Sequence, residues 1–130
     1  MIKKIIHTDH APKAVGPYSQ AVQLGNFLFC SGQISIDPKT QEVFTGEIKI
    51  QTEMVLNNIG AVLEQAGLQF SDIIKTTIFL TSMSDFAVVN EIYASKFKTD
   101  PPARSTVAVS ALPKGVNVEI EVTAYKNNSI

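Results

Sequence analysis

An α+β layer, in which a mostly antiparallel six-stranded sheet carries two helices on one face, is the fold this sequence predicts, and three observations predict it. Residues 116–125 alternate apolar and polar side chains without a break, which is the period of a strand with one face buried. Two segments, 48–66 and 86–97, repeat their apolar residues every three or four positions, the period of a helix with one apolar stripe. Around them lie short β-prone runs bounded by turn residues, and two helices can cover only one face of the sheet those runs form.

Taken in order, residues 1–7 are short and β-prone. Ala21 to Leu24 and Phe27 to Cys30 flank Gly25-Asn26, a pair that tolerates positive φ and suits a tight hairpin. Asp37-Pro38-Lys39-Thr40 reads as a loop, because proline fixes its own φ and aspartate bonds neighbouring backbone. In the first helix Ile48, Val55, Ile59, Val62, Leu63 and Ala66 share a stripe, and Gly67 is its stop signal. Residues 73–81, rich in Ile, Thr and Phe, favour a strand. Ser82-Met83-Ser84-Asp85 then has the form of a capping box for a helix whose stripe is Phe86, Val89, Tyr93 and Phe97. Pro101-Pro102 ends that helix by removing backbone donors. Two closing strands, 104–109 and 116–125, complete the order β-β-β-α-β-α-β-β. The last sends Val116, Val118, Ile120, Val122 and Ala124 to one face and Asn117, Glu119, Glu121, Thr123 and Tyr125 to the other. That second, partly polar face must meet solvent or another subunit.

The composition, 130 residues with 45% hydrophobic and 18% charged, is that of one globular domain spanning 1–130. A chain of this length buries roughly two-thirds of its unfolded surface and needs no staples. The single cysteine, Cys30, has no partner within the chain, and no charged-then-apolar leader is evident, so a reducing, cytoplasmic setting is expected. Eleven basic residues against twelve acidic ones give a net charge of −1, which disfavours a nucleic-acid or anionic-membrane partner. No apolar stretch approaches the roughly 20 residues of a membrane span.

Four segments combine rigid turn residues with chemically capable side chains: Gly16-Pro17-Tyr18-Ser19, Cys30-Ser31-Gly32-Gln33, Pro101-Pro102-Ala103-Arg104-Ser105 and Val118-Glu119-Ile120-Glu121. Each alone has an ordinary structural reading: a turn with an exposed phenol, a strand end, a surface charge, and the solvated partner of that charge. Cys30 follows the apolar Phe27-Leu28-Phe29, where a thiol is packing rather than a nucleophile. His7 and His10 stand alone, with no Cys-x-x-Cys or further ligand spacing, and no Gly-rich loop cradles a phosphate. No metal and no organic cofactor is expected.

Together and in this order the segments resemble the Rid (RidA/YjgF) family. The similarity runs from residues 14–21 through Leu24-Gly25-Asn26, Ser31-Gly32-Gln33-Ile34, Asn57-Asn58-Ile59, Ala66-Gly67-Leu68, residues 72–79 and residues 85–90, to Pro102-Ala103-Arg104-Ser105 and residues 118–121. The resemblance implies a chorismate-mutase-like fold, a homotrimer whose sheets face inward, and active sites between subunits. It implies hydrolysis of reactive enamine and imine acids, 2-aminoacrylate and 2-iminobutanoate, to 2-keto acids and ammonia.

By the same resemblance Arg104 binds the substrate carboxylate, for which a guanidinium offers two parallel donors. Glu119 activates the attacking water as general base. Tyr18 gives a phenolic donor near the reacting end. Ser31 and the Gly32 N–H add donors to the carboxylate, the glycine allowing close backbone approach. Phe86 and Asn90 match positions lining the cleft. One departure stands at Thr106, where many deaminating members carry cysteine; its backbone carbonyl remains available to the imine nitrogen. Residues 98–100 also look shorter than in close relatives, which bears on one cleft wall. Two other functions compete: a regulatory protein that captures small carboxylates without turnover, and an RNA-cleaving translation inhibitor, which the charge balance disfavours.

Overall fold

The computed structural model describes residues 2–127. Its strands are β1 (Lys4–Ile6), β2 (Ala21–Leu24), β3 (Phe27–Gln33), β4 (Ile73–Leu80), β5 (Ala103–Ala108) and β6 (Val118–Tyr125); its helices are α1 (Ile48–Gln65) and α2 (Phe86–Ala94). They form one six-stranded sheet in the order β1-β2-β3-β6-β4-β5. Every pairing is antiparallel except β4 with β5, which are parallel and joined through α2. The predicted class, element order and helix coverage hold. Met1, in the first β-prone stretch, lies outside the described residues.

The alternation in the last strand works as the sequence predicts. Val118, Ile120, Val122 and Ala124 are buried beneath the helices, each worth roughly 0.8 kcal/mol per buried methylene. They meet the α1 stripe of Val55, Ile59, Val62 and Leu63. Gly67, at φ +76°, ends α1 in a Schellman motif: Leu68 N–H donates to Leu63 O (2.9 Å) and Gly67 N–H to Glu64 O (2.9 Å). Gly25, at φ +60°, turns the β2–β3 hairpin.

Three details differ from the sequence reading. Ser82 caps a 3-10 turn over Met83–Asp85 by accepting from Ser84 N–H, and Asp85 returns no side-chain bond; the reciprocal box stands instead between Gln69 and Asp72. Helix α2 stops at Ala94, so Phe97 reaches Tyr93 from the turn beyond it, with ring centroids 4.6 Å apart. A 3-10 turn over Pro113–Gly115 precedes β6, which therefore begins at Val118, although Val116 is already buried.

Two buried amides fix the loops around the sheet ends. Gln20 accepts from Thr8 N–H (2.7 Å) and donates to the Thr8 (3.0 Å) and Pro12 (2.8 Å) carbonyls, tying down the segment that precedes Tyr18. Gln51 donates to Gly46 O (2.8 Å) and Asn117 Oδ1 (3.0 Å) and accepts from Asn117 N–H (2.9 Å), anchoring the start of β6 to α1. In a buried amide satisfied on both ends the hydrogen bonds offset the desolvation cost and set register.

Candidate active site

The β3–β6 ladder shifts register between Cys30 and Gln33. Beside that irregularity, on the face away from the helices, lies a cleft of about 400 Å³ lined by Tyr18, Ser31, Gly32 and Glu119. Four candidates from distant parts of the sequence thus meet in one place. Pro113, Lys13 and Lys114 also line it, and were not singled out from the sequence; the Pro-x-Gly turn signal at 113–115 was the cue available. A larger hollow of about 520 Å³, between residues 8–10 and the far half of α1, contains none of the candidates.

Glu119 is half-buried, and its proton affinity is raised above the ordinary carboxylate value, first by burial and then by repulsion from Glu121 two residues along the same face. Its carboxylate fits against the bare α-carbon of Gly32, where a β-carbon would collide with Oε2. Tyr18 is exposed at the cleft mouth; its N–H donates to Gly16 O (2.9 Å) across a tight turn with Gly16 at φ +129°. Ser31 differs from its expected role in one respect. Its hydroxyl donates to Ser19 O (2.6 Å), which leaves oxygen lone pairs rather than the hydroxyl proton facing a ligand.

Arg104 is elsewhere. On β5 it registers with Thr76 of β4, a residue buried beneath the helices, and parallel partners share a face. Its guanidinium lies 5.0 Å from the Tyr93 ring centroid and 5.4 Å from that of Phe86, and Nη1 donates to Asn90 Oδ1 (2.7 Å). Phe86 and Asn90 therefore join Arg104, as does Thr106 two residues along the strand. The Thr106 hydroxyl oxygen is buried with no hydrogen-bond partner, an orphan that a ligand or a neighbouring chain can satisfy. Arg104 is not the ion-pair partner of Glu119 that the ordinary reading supposes: they face opposite sides of the sheet. Among the described residues the only close contact between a basic and an acidic side chain is the exposed His7 Nε2–Asp9 Oδ1 hydrogen bond, at 3.2 Å.

The Cys30 thiol is pushed up to about 12 by burial, so it stays protonated and does not act as a nucleophile. No group of three or more His, Cys, Asp or Glu among the described residues is arranged to hold a metal ion, and no helix among them is long and apolar enough to cross a membrane.

Fold and site define a small α+β protein with two separate polar clusters: a cleft built around a proton-hungry carboxylate, and a guanidinium at a sheet edge with donors to spare. The family model described as Endoribonuclease L-PSP matches residues 8–126. A RutC family protein of Pyrococcus horikoshii is 56% identical over 96% of this chain and 99% of its own, and the 2-iminobutanoate/2-iminopropanoate deaminase of Mus musculus is 44% identical over 97% and 93%. Among solved structures, a Rid-family protein of Yersinia pestis superposes with TM-score 0.94 at 54% identity over 95% and 99% of the two chains. Escherichia coli TdcF with bound serine gives 0.90 at 43% over 95% and 99%. This chain belongs to the Rid family.

Proposed function

We propose that the protein is a cytoplasmic imine deaminase that hydrolyses 2-aminoacrylate and 2-iminobutanoate to 2-keto acids and ammonia, in sites between the subunits of a homotrimer. The observation that carries this reading is the placement of Arg104 and Glu119 on opposite faces of one sheet. Neither cluster handles a keto-acid imine alone, and packing the open face of one copy against the β5 edge of the next joins them. The deaminase activity named for the mouse relative supports the choice of substrate.

In this reading Arg104, Thr106, Phe86 and Asn90 come from one subunit and Tyr18, Ser31, Gly32 and Glu119 from its neighbour. 2-Aminoacrylate tautomerises to 2-iminopropanoate, whose carboxylate takes the free edge of the Arg104 fork and the Gly32 N–H. Glu119 removes a proton from water as the oxygen bonds to the imine carbon; the C=N electron pair moves to nitrogen, which receives that proton. The Tyr18 phenol steadies the water, and the Thr106 carbonyl accepts from the nitrogen. The carbinolamine then loses its hydroxyl proton through Glu119 to nitrogen, the C–N bond breaks, and pyruvate and ammonia leave. The sum is imine plus water to keto acid plus ammonia, with no electron donor or acceptor. A second reading, capture of small carboxylates without turnover, draws on the serine bound to the TdcF neighbour.

One experiment separates them. Purified protein is added to a pyridoxal-phosphate-dependent threonine or serine dehydratase, and keto-acid release is timed against the spontaneous rate. Acceleration proportional to added protein is expected; an unchanged rate together with measurable pyruvate binding would leave the non-catalytic reading.

A further inference from the structure

Arg104 stands on an exposed edge strand, yet its guanidinium is held from beneath and from one side. Phe86, Asn90 and Tyr93 fall at i, i+4 and i+7 along α2, one above another on a single face. Asn90 takes one of the five guanidinium N–H groups, and the two rings lie under the ion. Of the three, Tyr93 is the fixed one: it is 4% exposed, and its hydroxyl shares a 2.7 Å hydrogen bond with Thr76, itself 1% exposed on β4. Thr76 is also the residue that registers with Arg104. Strand, helix and guanidinium are thus closed into one loop of contacts through the tyrosine.

We propose that Tyr93 is a positioning residue: its ring, held in place by burial against the core, is the floor that sets the plane of the Arg104 guanidinium and so aims the fork that binds the substrate carboxylate. The inference rests on Arg104 being that clamp. A guanidinium on a flexible three-carbon stem otherwise samples many planes, and a two-pronged contact is worth its full strength in only one of them. Burial raises the proton affinity of the Tyr93 oxygen, with Thr76 and Arg104 working against it, so the ring stays neutral beneath the cation.

The test pairs each Tyr93 substitution with Thr76→Val, so that no buried hydroxyl is orphaned. Tyr93→Phe/Thr76→Val keeps the ring and is expected to hold KM within about 3-fold of wild type. Tyr93→Leu/Thr76→Val removes the ring; KM and the dissociation constant for pyruvate are expected to rise together by about 5- to 30-fold, with kcat nearly unchanged. A purely structural residue would instead lower the melting temperature and leave KM in place, and that result overturns the proposal, as does an equal KM rise in the Phe and Leu pairs. Should the Leu pair fail to fold, the Arg104 Nε–H resonance of intact protein decides: a ring-current shift upfield is expected, and a random-coil position overturns the seat. Arg104→Lys is run alongside. If it loses pyruvate binding while the Leu pair keeps it, the clamp stands and the seat falls; if it binds and turns over normally, both fall.

Discussion

The Glu119 carboxylate fills the space in which a β-carbon on Gly32 would stand: such an atom would lie 2.9 Å from Glu119 Cδ and nearer still to Oε2. The glycine and the carboxylate are therefore one steric unit, although 87 positions separate Gly32 from Glu119 in the chain (119 minus 32). Gly32 is not in the left-handed region, so its requirement is for room and not for backbone freedom.

Gly32→Ala is expected to fold, because the atom it meets ends a side chain that can swing away, at a stability cost of about 1–3 kcal/mol. Displacing the base by an ångström should cost about 10²-fold in kcat. Melting and the dehydratase-coupled assay on the same preparation check this; full kcat would show that the carboxylate's seat is irrelevant to turnover.

Glu119 binds its proton more tightly in the folded chain than in the unfolded one. Its contribution to folding is therefore full below the ordinary glutamate value and is lost as pH rises through the raised one. Glu119→Gln, which cannot ionise, should melt no lower than wild type at pH 8, with the difference closing toward acid. It should still bind pyruvate while losing imine hydrolysis by about 10²–10⁴-fold. Undiminished hydrolysis would place water activation elsewhere.

If Glu119 is the general base of the proposed reaction, activity should fall as pH drops through a value above that of an ordinary glutamate. Glu121→Gln removes the lesser cause of the shift and leaves burial, the greater one. The acid limb of the pH profile should move part of the way down, and a limb that stays put would mean another group sets it.

Arg104→Lys keeps the charge and loses the fork. One hydrogen bond to a charged group is worth roughly 1.5–3 kcal/mol, so kcat/KM should fall about 10- to 150-fold. The melting temperature should change little, since the side chain is exposed, its single side-chain hydrogen bond is to Asn90, and a lysine can still lie over the Tyr93 and Phe86 rings. Normal activity with a lowered melting temperature would make Arg104 structural.

Mixed subunits test whether sites are shared. Arg104→Ala and Glu119→Gln proteins, each inactive, are unfolded together and refolded at equal amounts. If every site takes its arginine from one copy and its glutamate from the next, roughly a quarter of the sites in random trimers are whole, and activity should return to about that level. No recovery would place both residues' work within single chains.

Much of this was legible in the sequence, and the remainder was not for physical reasons. Strict alternation exposed β6 and its two faces, and helical spacing exposed α1, because burial imposes those periods directly. Strand β5 was read to within one residue of its observed bounds, but it is an edge strand with five of its six residues exposed, so neither its buried face nor its parallel partner is written in a pattern. Family resemblance assembled Tyr18, Ser31, Gly32, Glu119 and Arg104 as a single set. The division of that set between two faces depends on register across the sheet, which no local signal records. Tyr93 was visible only as a stripe residue, since its hydroxyl's partner lies 17 positions away on β4.

Strand β6 is the last strand in sequence order but the fourth across the sheet, clasped between β3 and β4. A nascent chain thus carries two unjoined halves, the β1–β3 portion and the β4–α2–β5 portion, whose common wall does not exist until residue 125 has been synthesised. Closing the sheet pairs Phe27 with Tyr125, 98 positions apart (125 minus 27), a long-range step of the kind that slows folding. The native fold is therefore acquired after translation has passed β6, and a nonsense codon at the start of the last strand removes Val118, Ile120, Val122 and Ala124 from the core together with Glu119.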